Sequence, residues 1–175
     1  PLSAPMEALA TTLLCEGEVE LGHVILKIES VSVEPSPQFD GPCLFETISP
    51  ILVSTKVNKN GKAHVKFLSP FDEDFWRILT INLVRKAKAL HLDKKMETVK
   101  FACAGKWRSK LFEVQGIKVK GWMGRFWGEG DAELLRVGYE AGFGGRNAQG
   151  FGMVRVLKTR AVDVPVIGGN RGSTA

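Results

Sequence analysis

The chain is 175 residues long, 44% hydrophobic and 25% charged, with a formal net charge of +5; this suits one sizeable packed domain or two small ones and excludes a disordered chain. No apolar run approaches the roughly 18 residues of a membrane span, and the start at Pro1 shows neither the basic nor the apolar region of a signal peptide. Cys15, Cys43 and Cys103 are odd in number, far apart and without C-x-x-C spacing, which argues against a disulfide framework or a zinc site and points to a reducing cytoplasm.

Residues 5–16 place Met6, Leu9, Leu13 and Leu14 at helical spacing, so a short amphipathic helix is expected, with Ser3 as its cap and Gly17 as its stop. Residues 23–33 alternate apolar and polar side chains and predict a strand. A proline-containing stretch, 34–42, then breaks the pattern and marks the best boundary in the chain. Residues 43–54 read as a strand interrupted by Pro50, whose missing N–H confines it to an edge or a bulge.

An Asn60-Gly61 turn predicts a short hairpin within residues 57–68. Residues 71–91 carry the strongest helical pattern: Asp72 or Asp74 can cap it, and Phe75, Trp76, Leu79, Leu83 and Leu90 form an apolar stripe. Its C-terminal end bears Arg85, Lys86 and Lys88, which suit the helix dipole as well as a polyanion. Residues 98–102 predict a strand, and 110–127 alternate as two strands around Gln115-Gly116. Residues 131–141 predict a helix opened by an Asp131 cap, and 151–157 a closing strand.

With the 57–68 hairpin set aside as an insertion, the order from residue 43 is strand, helix, strand, two-strand hairpin, helix, strand, read with the two-strand hairpin as one unit as β-α-β-β-α-β, the ferredoxin-like arrangement. The first 33 residues supply only a helix and a strand, the last two elements of the same motif. The expected fold class is therefore α+β, a ferredoxin-like C-terminal domain over residues 43–157, preceded in residues 1–34 by part of a second such domain. Residues 158–175 are turn-rich and read as a tail or linker.

Charge is unevenly spread. Residues 1–50 hold one lysine against eight carboxylates, whereas residues 85–125 hold twelve cations against three acids, a polarity that suggests a polyanionic partner; a solvated basic face is the alternative. Between the last helix and the closing strand lies G-F-G-G-R-N-A-Q-G-F-G, residues 142–152, dense in glycine around one arginine. Main-chain N–H groups can converge where side chains are absent, and Arg146 adds a fixed positive fork, so this loop is expected to cradle a phosphate backbone.

These residues resemble the CRISPR-associated endoribonucleases that cut precursor CRISPR RNA within its repeats, members of the repeat-associated mysterious protein superfamily. Gly142, Gly144, Gly150 and Gly152 fit that family's C-terminal G-φ-G-x5-G-x-G loop, with Arg146 as its basic residue. Val137 to Gly142 fit the apolar helix ending in Y-x-A-G, and Lys120 to Phe126 fit a hairpin of the form K-G-φ-x-G-x-F. Two Ser-Pro strand ends, at Ser49-Pro50 and Ser69-Pro70, complete the match. The resemblance implies repeat RNA lying across the cleft between two ferredoxin-like domains. It also implies a further strand, helix and two strands before Ser3, commonly with the general-base histidine, so the chain is expected to be a shortened or partial member.

The reaction implied is metal-independent: a ribose 2′-hydroxyl attacks the adjacent phosphate, leaving a 2′,3′-cyclic phosphate and a 5′-hydroxyl. Of the three histidines, His91 reads as a helix C-cap cation and His23 as a strand-edge residue; His64, between Lys62 and Lys66, is the remaining catalytic candidate. The residues expected on RNA are Gly142, Gly144, Gly145, Arg146, Asn147, Gln149, Gly150 and Gly152 of the loop, with Lys118, Lys120 and Arg125 of the hairpin. Trp107, Trp122, Phe126 and Trp127 alternate with these cations and are candidates to stack on bases, although alternation sends about half of them into the core, Trp122 among them. No metal-ligand spacing and no P-loop appear, so neither a metal nor another cofactor is expected. The partner expected is CRISPR repeat RNA, with other CRISPR-associated effector subunits, a fused domain and a homodimer left open. A non-catalytic RNA-binding or scaffolding subunit is the alternative function.

Overall fold

The computed structural model describes residues 3–32, 35–59, 61–92 and 98–159. The chain divides into two compact units, Pro1–Ser36 and Pro37–Ala175. In the first unit, helix α1 (Ser3–Glu16) is closed by Gly17, whose N–H donates to the Leu13 carbonyl at 3.0 Å. A hairpin follows, β1 (Glu18–Leu21) paired antiparallel with β2 (Val24–Lys27). The single strand expected over 23–33 is thus corrected: it ends at Lys27, and the tetrapeptide between Gly17 and Gly22 supplies a partner strand. Met6, Leu9 and Leu14 of α1 and Leu21, Val24, Ile25 and Leu26 of the hairpin stay exposed, so the expected helical stripe is not covered.

The second unit is built on a four-stranded antiparallel sheet. Its strands are β3 (Cys43–Thr47), β6 (Val99–Cys103), β9 (Arg125–Gly130) and β10 (Val154–Thr159), in the spatial order β10-β3-β9-β6. Helices α2 (Glu73–Ala89) and α3 (Ala132–Ala141) join β3 to β6 and β9 to β10. This is the ferredoxin-like arrangement expected from the element order. The β10 strand runs on to Thr159, and the rest of the expected 158–175 tail lies outside the described residues.

Strand alternation decides which side chains enter the core. In β3, Cys43, Phe45 and Thr47 are buried between half-buried neighbours, and Phe45 pairs in register with Phe126 of β9. Against this face α2 buries Phe75, Leu79, Leu83 and Ala87, one side chain per turn, and α3 buries Leu134, Leu135 and Val137. Asp131 caps α3 as expected, its Oδ1 accepting the Leu134 N–H at 3.0 Å. Phe126 lies at the centre: its ring centroid is 5.2 Å from both Phe45 and Phe143 and 5.7 Å from Trp76.

Two hairpins are inserted into this frame. The strand expected over 43–54 stops at Thr47; beyond Pro50, Ile51 and Leu52 make isolated bridges to Trp122 and Gly144, and β4 (Ser54–Lys59) pairs with β5 (Lys62–Phe67) as the hairpin expected within 57–68, Asn60 of the expected turn lying outside the described residues. The second insertion revises the reading of 110–127. Instead of two strands there are three: β7 (Arg108–Val114) and β8 (Ile117–Met123) form a separate hairpin around Gln115-Gly116, and β9 begins at Arg125. Gly124 makes the break, because its N–H donates to Thr47 Oγ1 at 2.9 Å and its carbonyl accepts the Thr47 N–H at 3.1 Å, hooking the chain onto the end of β3.

A small second core joins both hairpins to the loop after α3: Leu52, Val119 and Phe151, flanked by Phe67, Phe112 and Val114. Among the described residues no helix is long and apolar enough to cross a membrane. Replacing Phe126 by Ala removes a fully buried ring between two sheet strands and the helices. It is expected to destabilise the fold by about 3–5 kcal/mol, read as a lower urea midpoint at unchanged slope.

Candidate nucleic-acid interface

The glycine loop is folded tightly on itself. Leaving α3 at Gly142, the chain buries Phe143 completely, its ring 5.3 Å from Phe45 and 5.2 Å from Phe126. The Phe143 N–H donates to the Gly152 carbonyl at 2.8 Å and pinches the loop shut at its base. Gly145 donates to the Leu52 carbonyl and Gly152 to the Pro50 carbonyl, both at 2.9 Å, tying the two arms to the segment that precedes β4. Arg146 enters the left-handed region at φ 59°, and a single 3-10 turn (Asn147–Gln149) forms the tip.

Two glycines are required by space as well as by backbone angle. A Cβ on Gly144 would lie 2.4 Å from the Leu52 carbonyl oxygen, and one on Gly152 would lie 2.0 Å from that of Phe143, both at positive φ. The N–H groups of Phe143, Gly145, Gln149, Gly150 and Gly152 are used within the loop or against residues 50–52. The expected cradle of N–H groups therefore cannot draw on all of the loop's donors. What converges is carbonyl oxygen, and it converges inward.

The group it meets is Lys86, from the last turn of α2. Its Nζ donates to the Gly142 carbonyl at 2.5 Å, the Gly144 carbonyl at 2.9 Å and Asn147 Oδ1 at 2.7 Å. The Asn147 amide turns its other end to the backbone, donating to the Phe151 carbonyl at 2.8 Å and the Phe143 carbonyl at 3.4 Å. Burial pulls the Lys86 pKa down from its ordinary value to about 8. Sequence reading placed Lys86 with the exposed cations at the helix end. The helical phase offered a signal, because Lys86 lies seven residues after Leu79 and three after Leu83, on the buried side of α2.

At the exposed tip, Arg146 donates to Gln149 Oε1 at 3.1 Å, so these two expected site residues form one polar group facing solvent. A pocket of about 160 Å³ lies beside the loop, lined by Gly144, Gly145, Ser54, Asn82 and Arg85 together with Leu52 and Ile78. Arg85 is thus a second cation next to the loop that the candidate set lacked.

The β7–β8 hairpin presents two different faces. Phe112 and Val119 face the second core, with the Phe112 ring 5.4 Å from Phe151 of the loop, so hairpin and loop are packed together. Lys118 and Lys120 lie on the opposite face, exposed; Lys118 stands across from Glu113, and Lys120 Nζ is 5.0 Å from the Trp122 ring. Trp107 and Phe126 are core residues, Trp127 is half-buried, and Trp122 is half-buried against the main core.

Arg125 is set apart from that hairpin. It lies on β9, where it and Arg155 of β10 clasp Glu46 of β3 between them; Arg125 Nε is 2.8 Å from Glu46 Oε1, and Arg155 Nε is 2.8 Å from Oε2. Hydrogen bonds from Arg125 and then Arg155 hold the Glu46 carboxyl below the usual glutamate range. Arg125 also lines an open depression of about 370 Å³ with Lys106 and Arg108. His64 is exposed on β5, opposite Val57 and two residues from both Lys62 and Lys66. His91 takes positive φ one residue beyond the α2 C-cap Leu90, and His23 sits in the β1–β2 turn.

A family profile described as CRISPR associated protein Cas6, C-terminal, matches residues 34–156, which take in the sheet, both helices, both hairpins and the glycine loop. The chain belongs to the Cas6 family. It is 32% identical over 151 residues to the CRISPR-associated endoribonuclease Cas6 of Pyrococcus furiosus, a match covering 86% of this chain and 55% of that protein. It is 28% identical over 152 residues to CRISPR-associated endoribonuclease Cas6 1 of Methanocaldococcus jannaschii, covering 85% and 58%. A solved CRISPR associated protein Cas6 superposes with a TM-score of 0.78 at 28% identity, over 87% of this chain and 63% of the other. A solved RAMP protein described as binding different RNA substrates shares the fold, with a TM-score of 0.72 at 24% identity over 89% of this chain and 65% of the other. The chain spans 55 to 58% of the length of these two curated Cas6 relatives.

Within this Cas6 fold the Glu46 clasp links β10 and β9, the two neighbours of β3, through β3. Because the folded carboxyl titrates below its unfolded value, its contribution is present at neutral pH and is lost as pH falls through the folded value. Glu46→Gln is therefore expected to lower the urea midpoint slightly at neutral pH and to flatten the loss of stability on acidification, checked by denaturation at neutral and acid pH. The effect is small because both arginines are exposed.

Proposed function

We propose that this chain is the RNA-gripping C-terminal part of a Cas6 endoribonuclease, and that the whole protein binds CRISPR repeat RNA and cuts it by 2′-hydroxyl attack without a metal. The observation that carries this reading is the glycine loop itself: in a Cas6-family chain, a rigidly folded turn holds one exposed arginine at its tip, next to a hairpin whose outer face bears two lysines. In this reading Arg146, Gln149 and the tip of the loop contact the phosphate backbone, while Gly142, Gly144, Gly145, Asn147, Gly150 and Gly152 shape that tip. Lys118 and Lys120 add backbone contacts from the hairpin, and Arg125 acts from the open face of the sheet with Lys106 and Arg108.

Residues 1–34 are read as the end of a first ferredoxin-like domain, and the exposed apolar side chains of α1 and its hairpin support this, since a helix and two short strands cannot bury them unaided. The general base is assigned to the part of the family's length outside this chain, and His64 to a surface role on the β4–β5 hairpin.

A second reading is a non-catalytic RNA-binding or scaffolding member.

Arg146→Ala is expected to weaken repeat-RNA binding about 3- to 10-fold and to lower the slope of log affinity against log salt by about one. Gly144→Val, which drives a side chain into the Leu52 carbonyl, is expected to weaken binding further. Unchanged affinity in both at moderate salt overturns the loop assignment. Incubating this chain and the complete gene product with repeat RNA in EDTA separates the two readings. A cyclic-phosphate product from the complete protein alone supports the first reading; none from either supports the second.

A further inference from the structure

The glycine loop is held from below by an ammonium group, and the match in number is close. A protonated lysine carries three N–H donors, and three acceptors meet it: the Gly142 and Gly144 carbonyls and Asn147 Oδ1. A neutral amine has only two donors and directs a lone pair at the third acceptor. Gly142 is also the C-cap of α3, so its carbonyl lies at the negative end of that helix, where a cation is favoured. Through Asn147 the hold reaches the Phe143 and Phe151 carbonyls, one on each arm of the loop.

We propose that Lys86 is the positioning residue of the glycine loop: its charged ammonium ties α2 to both arms of the loop and thereby sets the left-handed turn that presents Arg146, so that RNA affinity depends on Lys86 remaining protonated. The proposal rests on the RNA-binding reading of the loop. Lys86 itself is half-buried beneath the loop and is not assigned a contact with RNA.

The surroundings make this charge unusual. All three partners are neutral, and among the described residues no carboxylate forms an ion pair with Lys86. Of the charged groups on the elements around it, Arg136 of α3 pairs with Glu133, Arg146 bonds to Gln149, and Glu140 of α3 and Arg85 and Lys88 of α2 are exposed. Burial is accordingly the cause that brings its pKa to about 8, within reach of physiological pH.

The direction of the pH effect separates positioning from mere stability. Between about 8 and the ordinary value of 10.5 the unfolded chain binds more protons than the folded one, so the stability contributed by this group rises with pH. RNA affinity is expected to move the other way, because the positive charge beneath the loop tip is lost.

The test is fluorescence anisotropy with labelled CRISPR repeat RNA, between about pH 6.5 and about pH 9, on the wild-type chain and Lys86→Met, with amide hydrogen exchange over residues 142–152. The wild type is expected to lose several-fold in affinity with a midpoint near 8 while its urea midpoint does not fall. Lys86→Met is expected to bind about tenfold more weakly at neutral pH, to show a flat pH profile and to exchange faster across the loop than across β3 and β9. Lys86→Met binding as tightly as the wild type, or retaining the wild-type pH slope, overturns the proposal. If the Met variant does not fold, Asn147→Ala, which removes one of the three acceptors and the link to the Phe143 and Phe151 carbonyls, decides: loop exchange and RNA affinity equal to those of the wild type also overturn the proposal. If the wild type binds no repeat RNA, the RNA reading fails, and the loop exchange of wild type against variant still decides whether Lys86 positions the loop.

Discussion

A glycine-rich segment has a large conformational entropy to lose, so its shape must be imposed from outside it. Here the imposition comes from two sides. Phe143 is driven into the aromatic core by burial, and the Lys86 ammonium collects two loop carbonyls and the Asn147 amide that the tight turn leaves pointing inward. Buried carbonyls without donors would oppose the turn, and a buried ammonium without acceptors would oppose the helix position; each satisfies the other. The outward geometry of Arg146 depends on that inward arrangement.

The ferredoxin-like frame explains why the loop lies where it does. With β10 at one edge next to β3, the connection from α3 must return across the end of the sheet where β3 finishes and residues 48–53 begin. The hydrogen bonds from Gly145 to Leu52 and from Gly152 to Pro50 are the result, and the parallel bridge between Leu52 and Gly144 is part of it. The inserted hairpins then share one small apolar cluster with Phe151. Loop and basic hairpin are therefore mechanically coupled, although their cations lie on different surfaces.

Charge is distributed by the same frame. The arginines that alternate out of the core on β9 and β10 meet Glu46 on β3 and are partly neutralised by it, whereas Lys118, Lys120 and Arg146 are carried on insertions and a loop that extend beyond the sheet. A surface for a polyanion is best supplied by elements free of such pairing. Fold and proposed interface thus largely separate: of the proposed RNA contacts Arg125 is a paired sheet residue, whereas the connections expose their cations.

Much of this was legible in the residues. Asp131 ahead of an apolar periodic run, the two-residue turn at Gln115-Gly116, and the Phe75, Leu79, Leu83 stripe each specify local structure through contacts a few residues apart. The β-α-β-β-α-β order and the glycine loop followed from these signals. The Glu18–Leu21 strand did not, because a four-residue strand owes its existence to its partner, and the division of 110–127 into three strands depends on Thr47, nearly eighty residues away in the chain. Nor did the fate of individual cations: Arg85, Lys86 and Lys88 are near neighbours on one helix, yet only Lys86 lies on its buried side beneath the loop. The sequence by itself determined the order of elements, the position of the loop and its one arginine, since local propensity and periodicity act over short distances. Only the tertiary structure decided which charges are neutralised, which is buried and which face solvent, because those outcomes depend on acceptors delivered by residues 46, 142, 144 and 147 from elsewhere in the fold.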